Sequence, residues 1–144
     1  MKFSKSIIPF ISLILLLSLG TSCKKSGDGK PEDAVPENKV ENAAPALEPQ
    51  DFQDEMKRSG AVIVDIRFPA EYEQGHIDGA ININFFDGKF KDNILALDRS
   101  KKYLLYSKAD SQTKRAGIFM RENGFTDVVV MKGGWEAWKE SQKK

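Results

Sequence analysis

The sequence predicts an α/β domain, with a mainly parallel central sheet flanked by helices, over roughly its last two thirds. Two observations support this prediction. First, short apolar runs rich in β-branched residues alternate with segments whose apolar residues recur at helical spacing, which is typical of strand–helix–strand units. Second, the run at 61–66 (AVIVDI) is apolar almost throughout, as expected for a strand buried on both faces of a sheet.

Four segments are predicted to be strands because they are short and apolar or alternate in polarity. In chain order they are 61–66 (AVIVDI), 80–85 (AININF), 103–106 (YLLY) and 127–131 (DVVVM). Helices are predicted between and around these strands, at 51–58, 69–74, 90–97, 113–123 and 135–140. Phe52 and Met56 lie four residues apart on one face of the first helix. Pro69 suits the first turn of the second helix, and Gly124 ends the fourth.

Composition excludes several kinds of partner and site. The net charge is +1, and removing residues 1–22, whose only charges are Lys2 and Lys5, leaves about −1. No basic stripe remains, so nucleic acid is not expected as a partner. The single cysteine, Cys23, and the single histidine, His76, exclude an intramolecular disulfide and a Cys- or His-rich metal site. Neither a metal nor another cofactor is therefore expected.

The N-terminus, residues 1–22, is predicted to be a secretory signal peptide. Two lysines precede an apolar run at 7–19 (IIPFISLILLLSL), which is too short to span a bilayer comfortably. The run is followed by residues 20–23 (GTSC), which resemble the bacterial lipoprotein box, although Gly20 stands where an aliphatic residue is usual. The resemblance implies that Cys23 is lipidated and becomes the mature N-terminus. Ordinary secretory cleavage after Ser22 is the alternative.

The segment 23–47 is predicted to be a flexible, lipid-anchored tether. It is rich in Pro, Glu, Lys, Asn and Ala and contains no aromatic residue, so it cannot bury enough apolar surface to offset the entropy of ordering. A flexible tether of this length reaches on the order of 25–30 Å. We therefore expect a globular domain at 48–142, held at a bacterial membrane on its periplasmic or surface side through lipid on Cys23.

One loop is the expected site. In α/β sheets, ligands bind beyond the carboxyl ends of strands, where loops lead into helix N-termini. Between the YLLY strand and the helix expected from Thr113, backbone N–H groups and the helix dipole can converge on an anion. The expected anion-binding loop consists of Ser107, Lys108, Ala109, Asp110, Ser111, Gln112 and Thr113.

Two separated stretches carry a family resemblance. Residues 64–67 (VDIR), 71–72 (EY) and 75–83 (GHIDGAINI) resemble the first signature of the rhodanese-like family, and 124–138, which ends in KGGWEAW, resembles its closing signature. The resemblance implies a five-stranded parallel sheet flanked by helices. It also implies structural roles for Asp65, Arg67, Glu71, Gly75, His76 and Gly79.

The loop departs from the pattern of this family, which resembles C-x-x-G-x-R-[ST]. The resemblance implies that Ser107 stands where a catalytic cysteine would carry sulfur as a persulfide. It likewise implies that Asp110 replaces a glycine and that Gln112 replaces an anion-binding arginine, whereas Thr113 matches. A serine hydroxyl does not ionise without a positioned base, and oxygen cannot form a persulfide. No catalytic residue is therefore expected in this loop.

Several roles and functions stay open. His76 is either a base for Ser107 or part of a structural turn, and Asp65 with Arg67 either lines a pocket or forms a structural pair. The aromatic residues Trp135 and Trp138 either pack in the core or stack on a ligand. The basic residues of the region either draw an anion to the helix or form a solvated face; they are Lys108, Lys114 and Arg115.

The leading interpretation is a non-catalytic module that binds a small anion or a protein partner. The alternatives are a weak sulfurtransferase using a free Cys23, a Ser107 hydrolase with His76 or Asp110 as its base, and a structural protein with a vestigial fold.

Overall fold

Residues 42–143 are described by the computed structural model of the chain. They form a five-stranded sheet with the strand order β1-β5-β4-β2-β3, and every pair of neighbouring strands is parallel. The strands are β1 (Ala46–Leu47), β2 (Val62–Asp65), β3 (Ile81–Asn82), β4 (Tyr103–Tyr106) and β5 (Val128–Met131). The helices are α1 (Pro49–Ser59), α2 (Pro69–Glu73), α3 (Phe90–Leu95), α4 (Asp110–Glu122) and α5 (Gly134–Ser141).

The sheet separates two apolar cores. Alternate residues of the central strands point to opposite faces, because the side-chain period of a strand is two. Val64, Leu105 and Val130 pack on one face with α3 and α4, through residues such as Ile94 and Met120. The opposite face packs against α1 and α5, through Phe52 and Trp138. All four residues of β4 are buried, as expected for the central strand.

The predicted fold class is confirmed. Several elements begin or end at other residues than predicted, and two of these differences, at β1 and α4, change the description of the domain. The sequence shows four strand patterns, and the fifth strand is Ala46–Leu47, inside the segment 23–47 assigned to the tether. This strand pairs with β5: Val130 N–H donates to Pro45 O at 2.9 Å and Lys132 N–H donates to Leu47 O at 2.8 Å. A two-residue strand is too short to produce a recognisable periodicity.

The second difference concerns α4. It begins at Asp110, three residues before the expected start at Thr113. Residues 110–112 (DSQ) are therefore the first turn of a helix, and the connection from β4 is only three residues long. Polar residues at the start of a helix resemble a loop in sequence because both environments favour them.

The predicted signal peptide, Cys23 and most of the predicted tether lie outside the described residues. Within residues 42–143, no helix is both long enough and apolar enough to cross a membrane.

Candidate functional site

The expected loop lies at the carboxyl edge of the sheet. Because all strands are parallel, the segments that follow β2, β4 and β5 reach the same edge. Ser107 follows the central strand β4, Arg67 lies two residues beyond β2, and Gly133 and Gly134 follow β5. The site is thus assembled from three chain segments around the start of α4.

Ser107 is completely buried. Its Oγ donates a short hydrogen bond to Oε1 of Gln112, one turn into α4. Its carbonyl oxygen accepts the N–H of Trp135 at 2.8 Å. The hydroxyl and the carbonyl oxygen of Ser107 are therefore both hydrogen-bonded to other parts of the fold.

The turn after β5 presses against this loop. Gly134 is buried and has a positive φ of 61°. A Cβ at this position would lie 2.6 Å from the carbonyl oxygens of both Ser107 and Lys108, and real Cβ atoms do not approach so closely. Only glycine lets the β5–α5 turn lie against the loop in this way.

Asp110 is the first residue of α4, and its carboxylate is held by the same turn. Its Oδ1 accepts the N–H of Gly133 at 2.8 Å. The preceding residue, Ala109, has an extended backbone and offers no side-chain cap. Thr113 is buried, and its Oγ1 donates to Asp110 O at 3.0 Å. The loop is therefore fixed to the β5–α5 turn through backbone and carboxylate contacts.

The first turn of α4 contains two backbone N–H groups without a backbone acceptor among the described residues. The first N–H groups of any α-helix have no intrahelical acceptor. In this helix Gln112 N–H bonds to Ala109 O at 3.2 Å, while the N–H groups of Asp110 and Ser111 have no backbone acceptor among the described residues. Together with the positive end of the helix dipole, these groups favour an anion.

A cavity of about 310 Å³ opens beside the loop. Its wall carries charges of both signs and one aromatic ring, from Arg67, Glu71, Gln74, Lys108, Trp135, Glu136 and Lys139. Lys108 pairs with Glu71 at 3.5 Å, and its side chain remains 68% exposed. The hydrogen bond from Lys139 holds the pKa of Glu136 below its ordinary value. The cavity is therefore polar, and its wall carries both positive and negative charges.

Asp65 and Arg67 form a buried ion pair beneath this cavity. Nη2 of Arg67 lies 2.6 Å from Oδ2 of Asp65 and also donates to Gly75 O at 2.7 Å. The guanidinium lies 4.4 Å from the ring centroid of Trp135 and 5.5 Å from that of Tyr106. Burial is the largest single effect and lowers the pKa of Arg67, but the hydrogen bond and the charge of Asp65, together with the interaction with Tyr106, more than offset it and the pKa is raised. The pair ties the end of β2 to the turn at Gly75 and supports the Trp135 ring.

His76 belongs to a turn and not to the Ser107 environment. Its Nδ1 lies 2.9 Å from the carbonyl oxygen of Tyr72, and its ring stacks on the Tyr72 ring at 3.8 Å. A positive φ of 79° at Gly79 shapes the same segment. Among the described residues, neither His76 nor Asp110 is hydrogen-bonded to Ser107. In this geometry the Ser107 hydroxyl donates to Gln112 and to neither of these two candidate bases.

The remaining basic and aromatic residues singled out from the sequence lie in different environments. Arg115 lies over the Phe85 ring at 5.3 Å, and Lys114 is exposed. Trp135 is partly buried and contacts Arg67, whereas Trp138 is buried in the core. Within residues 42–143, no three Asp, Glu, His or Cys side chains are grouped in a way that could hold a metal ion.

Sequence reasoning missed one part of the site, namely the contact of the β5–α5 turn with the loop. Gly133 binds the Asp110 carboxylate, and Gly134 lies against the Ser107 and Lys108 carbonyls. The adjacent glycines in the sequence KGGW were the available signal, because a glycine pair indicates unusual backbone angles or a close approach.

Comparisons with known proteins agree with this architecture. The family model described as a rhodanese-like domain matches residues 48–141. The chain is 37% identical over 78 residues to the uncharacterized protein YqhL of Bacillus subtilis, covering 54% of this chain and 60% of that protein. It is 30% identical over 86 residues to the thiosulfate sulfurtransferase GlpE of Stutzerimonas stutzeri, covering 60% of this chain and 77% of the relative.

Solved structures are similar as well. The solution structure of the rhodanese-like domain of the Alr3790 protein from Anabaena sp. superposes with a TM-score of 0.60 at 29% identity. The superposition covers 67% of this chain and 74% of that domain.

Proposed function

This chain belongs to the rhodanese-like domain family, and we propose that it is a binding module of that family that takes up a small oxyanion without transferring sulfur. The observation that carries the proposal is the state of Ser107, which is buried with its hydroxyl bonded to Gln112. Sulfur transfer in this family's manner needs a thiolate at the head of the loop. A hydroxyl without a base is neither ionised nor able to form a persulfide.

The residues around Ser107 support the same conclusion. Gln112 stands where the family pattern has an arginine, and its side-chain oxygen is already occupied by Ser107. It therefore presents no positive charge to an anionic sulfur donor. Asp110 places a carboxylate at the start of α4, where it repels a dianion such as thiosulfate.

Anion binding is supported by the uncapped start of α4. The N–H groups of Asp110 and Ser111 lie at the positive end of a 13-residue helix, and the exposed side chain of Lys108 belongs to the loop just before it. The Asp110 carboxylate is held by Gly133 N–H, so it does not cap its own helix. Its negative charge nevertheless weakens the site, and we expect affinity in the millimolar range, or about 4 kcal/mol.

A titration of the full chain with sodium sulfate, followed by backbone amide NMR at constant ionic strength, tests this proposal. We expect saturable shifts of the Asp110 and Ser111 amides, and weaker binding in Lys108→Gln. The matched control is Lys101→Gln, which removes an exposed lysine outside the cavity and should bind as the unmodified chain does. Shifts that never saturate, or that centre on another part of the domain, would contradict anion binding at α4.

A second candidate is a sulfurtransferase of weak activity. It is favoured by the similarity to GlpE, a relative named as a thiosulfate sulfurtransferase. In this version the Cys23 thiol stays free, and the predicted tether that joins Cys23 to the domain lets the thiol reach the loop 107–113. The activity would then disappear in Cys23→Ser, whereas a chain without such activity would show no difference between the two proteins.

The location of the module at the cell envelope is part of the proposal. Residues 7–19 and the sequence GTSC at 20–23 support a lipid on Cys23. Mass spectrometry of the N-terminal peptide from membranes of a bacterial host tests this: a diacyl or triacyl group on Cys23 is expected. Such a group would also exclude a free thiol. A mature chain beginning at unmodified Cys23 would contradict lipid anchoring.

A further inference from the structure

A second cavity lies on the α3–α4 side of the sheet, away from the loop. Its volume is about 390 Å³, within the range of small-molecule sites. None of its lining residues lines the cavity beside Ser107. It is bounded by the segment after β3, by the start of α3 and by the outer face of α4.

Three aromatic rings line this cavity. Phe85 and Phe90 meet edge to face at 5.0 Å, and Phe90 and Phe119 lie 6.4 Å apart. Phe90 belongs to the core, and the other two are partly buried against it. The cavity therefore has an apolar wall that continues the core outward to the surface.

Two cations stand over these rings. The Arg115 guanidinium lies 5.3 Å from the Phe85 centroid, and the Lys91 ammonium lies 5.8 Å from the Phe119 centroid. Both residues are exposed, and no carboxylate lies within ion-pair distance of either in the described part of the chain. The acidic residue of the rim is Asp87, whose Oδ1 accepts the N–H of Lys89 at 2.8 Å.

We propose that this cavity binds a small carboxylate with an aromatic body. The aromatic wall would stack with the body of the ligand, and Lys91 and Arg115 would pair with its carboxylate. A bare inorganic anion would gain nothing from the aromatic wall. A neutral aromatic compound would lose the two charge-assisted contacts.

The proposal is tested by titrating the full chain with 2-naphthoate and following backbone amide shifts. We expect saturable shifts at Gly88 and Phe119. The double variant Lys91→Gln/Arg115→Gln should bind about tenfold more weakly, because two charge-assisted hydrogen bonds are lost. The matched control is Lys114→Gln, an exposed basic residue beside Arg115 that does not line the cavity. Its affinity should change by less than about twofold.

Two further measurements test the role of the carboxylate and check that the variants are folded. The neutral amide 2-naphthamide should bind about tenfold more weakly than 2-naphthoate to the unmodified chain. Thermal unfolding of both variants should be close to that of the unmodified chain, since all three replaced side chains are exposed. Equal binding of the amide, undiminished binding by the double variant, shifts centred on Ser111, or no saturable shift at all would each overturn the proposal.

Discussion

At the residue scale, Ser107 is held by contacts from two other segments. Its hydroxyl donates to Gln112, its carbonyl accepts Trp135 N–H, and the Gly134 backbone lies against it. Replacing one side chain in such a setting changes the packing of several others. The loop that contains Ser107 is therefore packed into the carboxyl edge of the sheet. The chemistry open to Ser107 is limited by the hydrogen bonds that it already makes within the fold.

The close approach of Gly134 leads to a prediction on stability. We expect Gly134→Ala to lower the free energy of unfolding by about 2–4 kcal/mol, since it combines a positive φ with a Cβ 2.6 Å from two carbonyl oxygens. Gly60 also has a positive φ, of 58°, but no atom lies within 4 Å of its Cβ position. Gly60→Ala should therefore cost only about 1 kcal/mol.

Gly88→Ala completes this series, because Gly88 has neither a positive φ nor a neighbour within 4 Å. It should change the unfolding free energy by less than about 0.5 kcal/mol. Urea unfolding of the three variants gives the comparison. If Gly134→Ala costs no more than Gly60→Ala, the turn does not press against the loop.

Tyr106 gives a prediction on pH. Burial raises the pKa of its hydroxyl, which accepts Ile77 N–H at 3.0 Å. A tyrosine whose folded-state pKa is raised binds its proton more tightly in the folded chain. Its contribution to stability is then complete below about pH 10 and is lost as pH rises further.

We expect the unfolding free energy of the unmodified chain to fall steeply above about pH 10. The unfolding free energy of Tyr106→Phe should fall less steeply with pH. At neutral pH it should be about 1–3 kcal/mol lower than that of the unmodified chain, because Ile77 N–H loses its acceptor. Some slope remains, because burial also raises the pKa of Tyr103. Urea unfolding between about pH 8 and 11 measures both slopes, and equal slopes would exclude Tyr106 as their source.

At the element scale, the uncapped start of α4 links stability to binding. Ala109 has the extended backbone of an N-cap residue but no side chain that can accept a hydrogen bond. We expect Ala109→Ser to stabilise the domain by about 0.5–1.5 kcal/mol, because its hydroxyl can accept an N–H of the first turn. The same bond should weaken sulfate binding, because it occupies one of the donors.

Thermal unfolding and the sulfate titration measure the two effects. Ala96→Ser is the matched control, since Ala96 is exposed at the end of α3, where no N–H group needs a cap. A gain in stability without any loss of sulfate affinity would show that the anion does not use the first turn of α4.

The sequence predicted some elements better than others. The ends of the strand 103–106 (YLLY) were predicted correctly because a short apolar run between Lys102 and Ser107 leaves little choice of boundaries. The strand expected at 80–85 shrinks to Ile81–Asn82, and the Asn82 side chain bonds instead to the carbonyls of Asp65 and Arg67 at 3.0 Å. The β1 strand and the first turn of α4 were missed because both are defined by tertiary contacts more than by local pattern.

At the scale of the whole molecule, the order of the strands brings the site together. The central position of β4 places Ser107 between the segments that follow β2 and β5. The family signatures at 64–83 and 124–138 supply those two segments, which explains why the sequence could indicate the family and the position of the loop. The contacts of Ser107 with Gln112 and of Asp110 with Gly133 depend on side-chain orientation, so no motif could indicate them.

The central claim is that this chain has the fold of the rhodanese-like family, whereas the loop that begins at Ser107 is not suited to sulfur transfer. The most direct test is a thiosulfate:cyanide assay that compares the full chain with Ser107→Ala and with Ser107→Cys/Asp110→Gly/Gln112→Arg. We predict that the first two form thiocyanate no faster than a protein-free control. The triple variant should exceed them clearly, because it restores a thiolate at a helix N-terminus, a glycine and a guanidinium. Thiocyanate formation by the unmodified chain that is lost in Ser107→Ala, or a folded triple variant without activity, would contradict the claim.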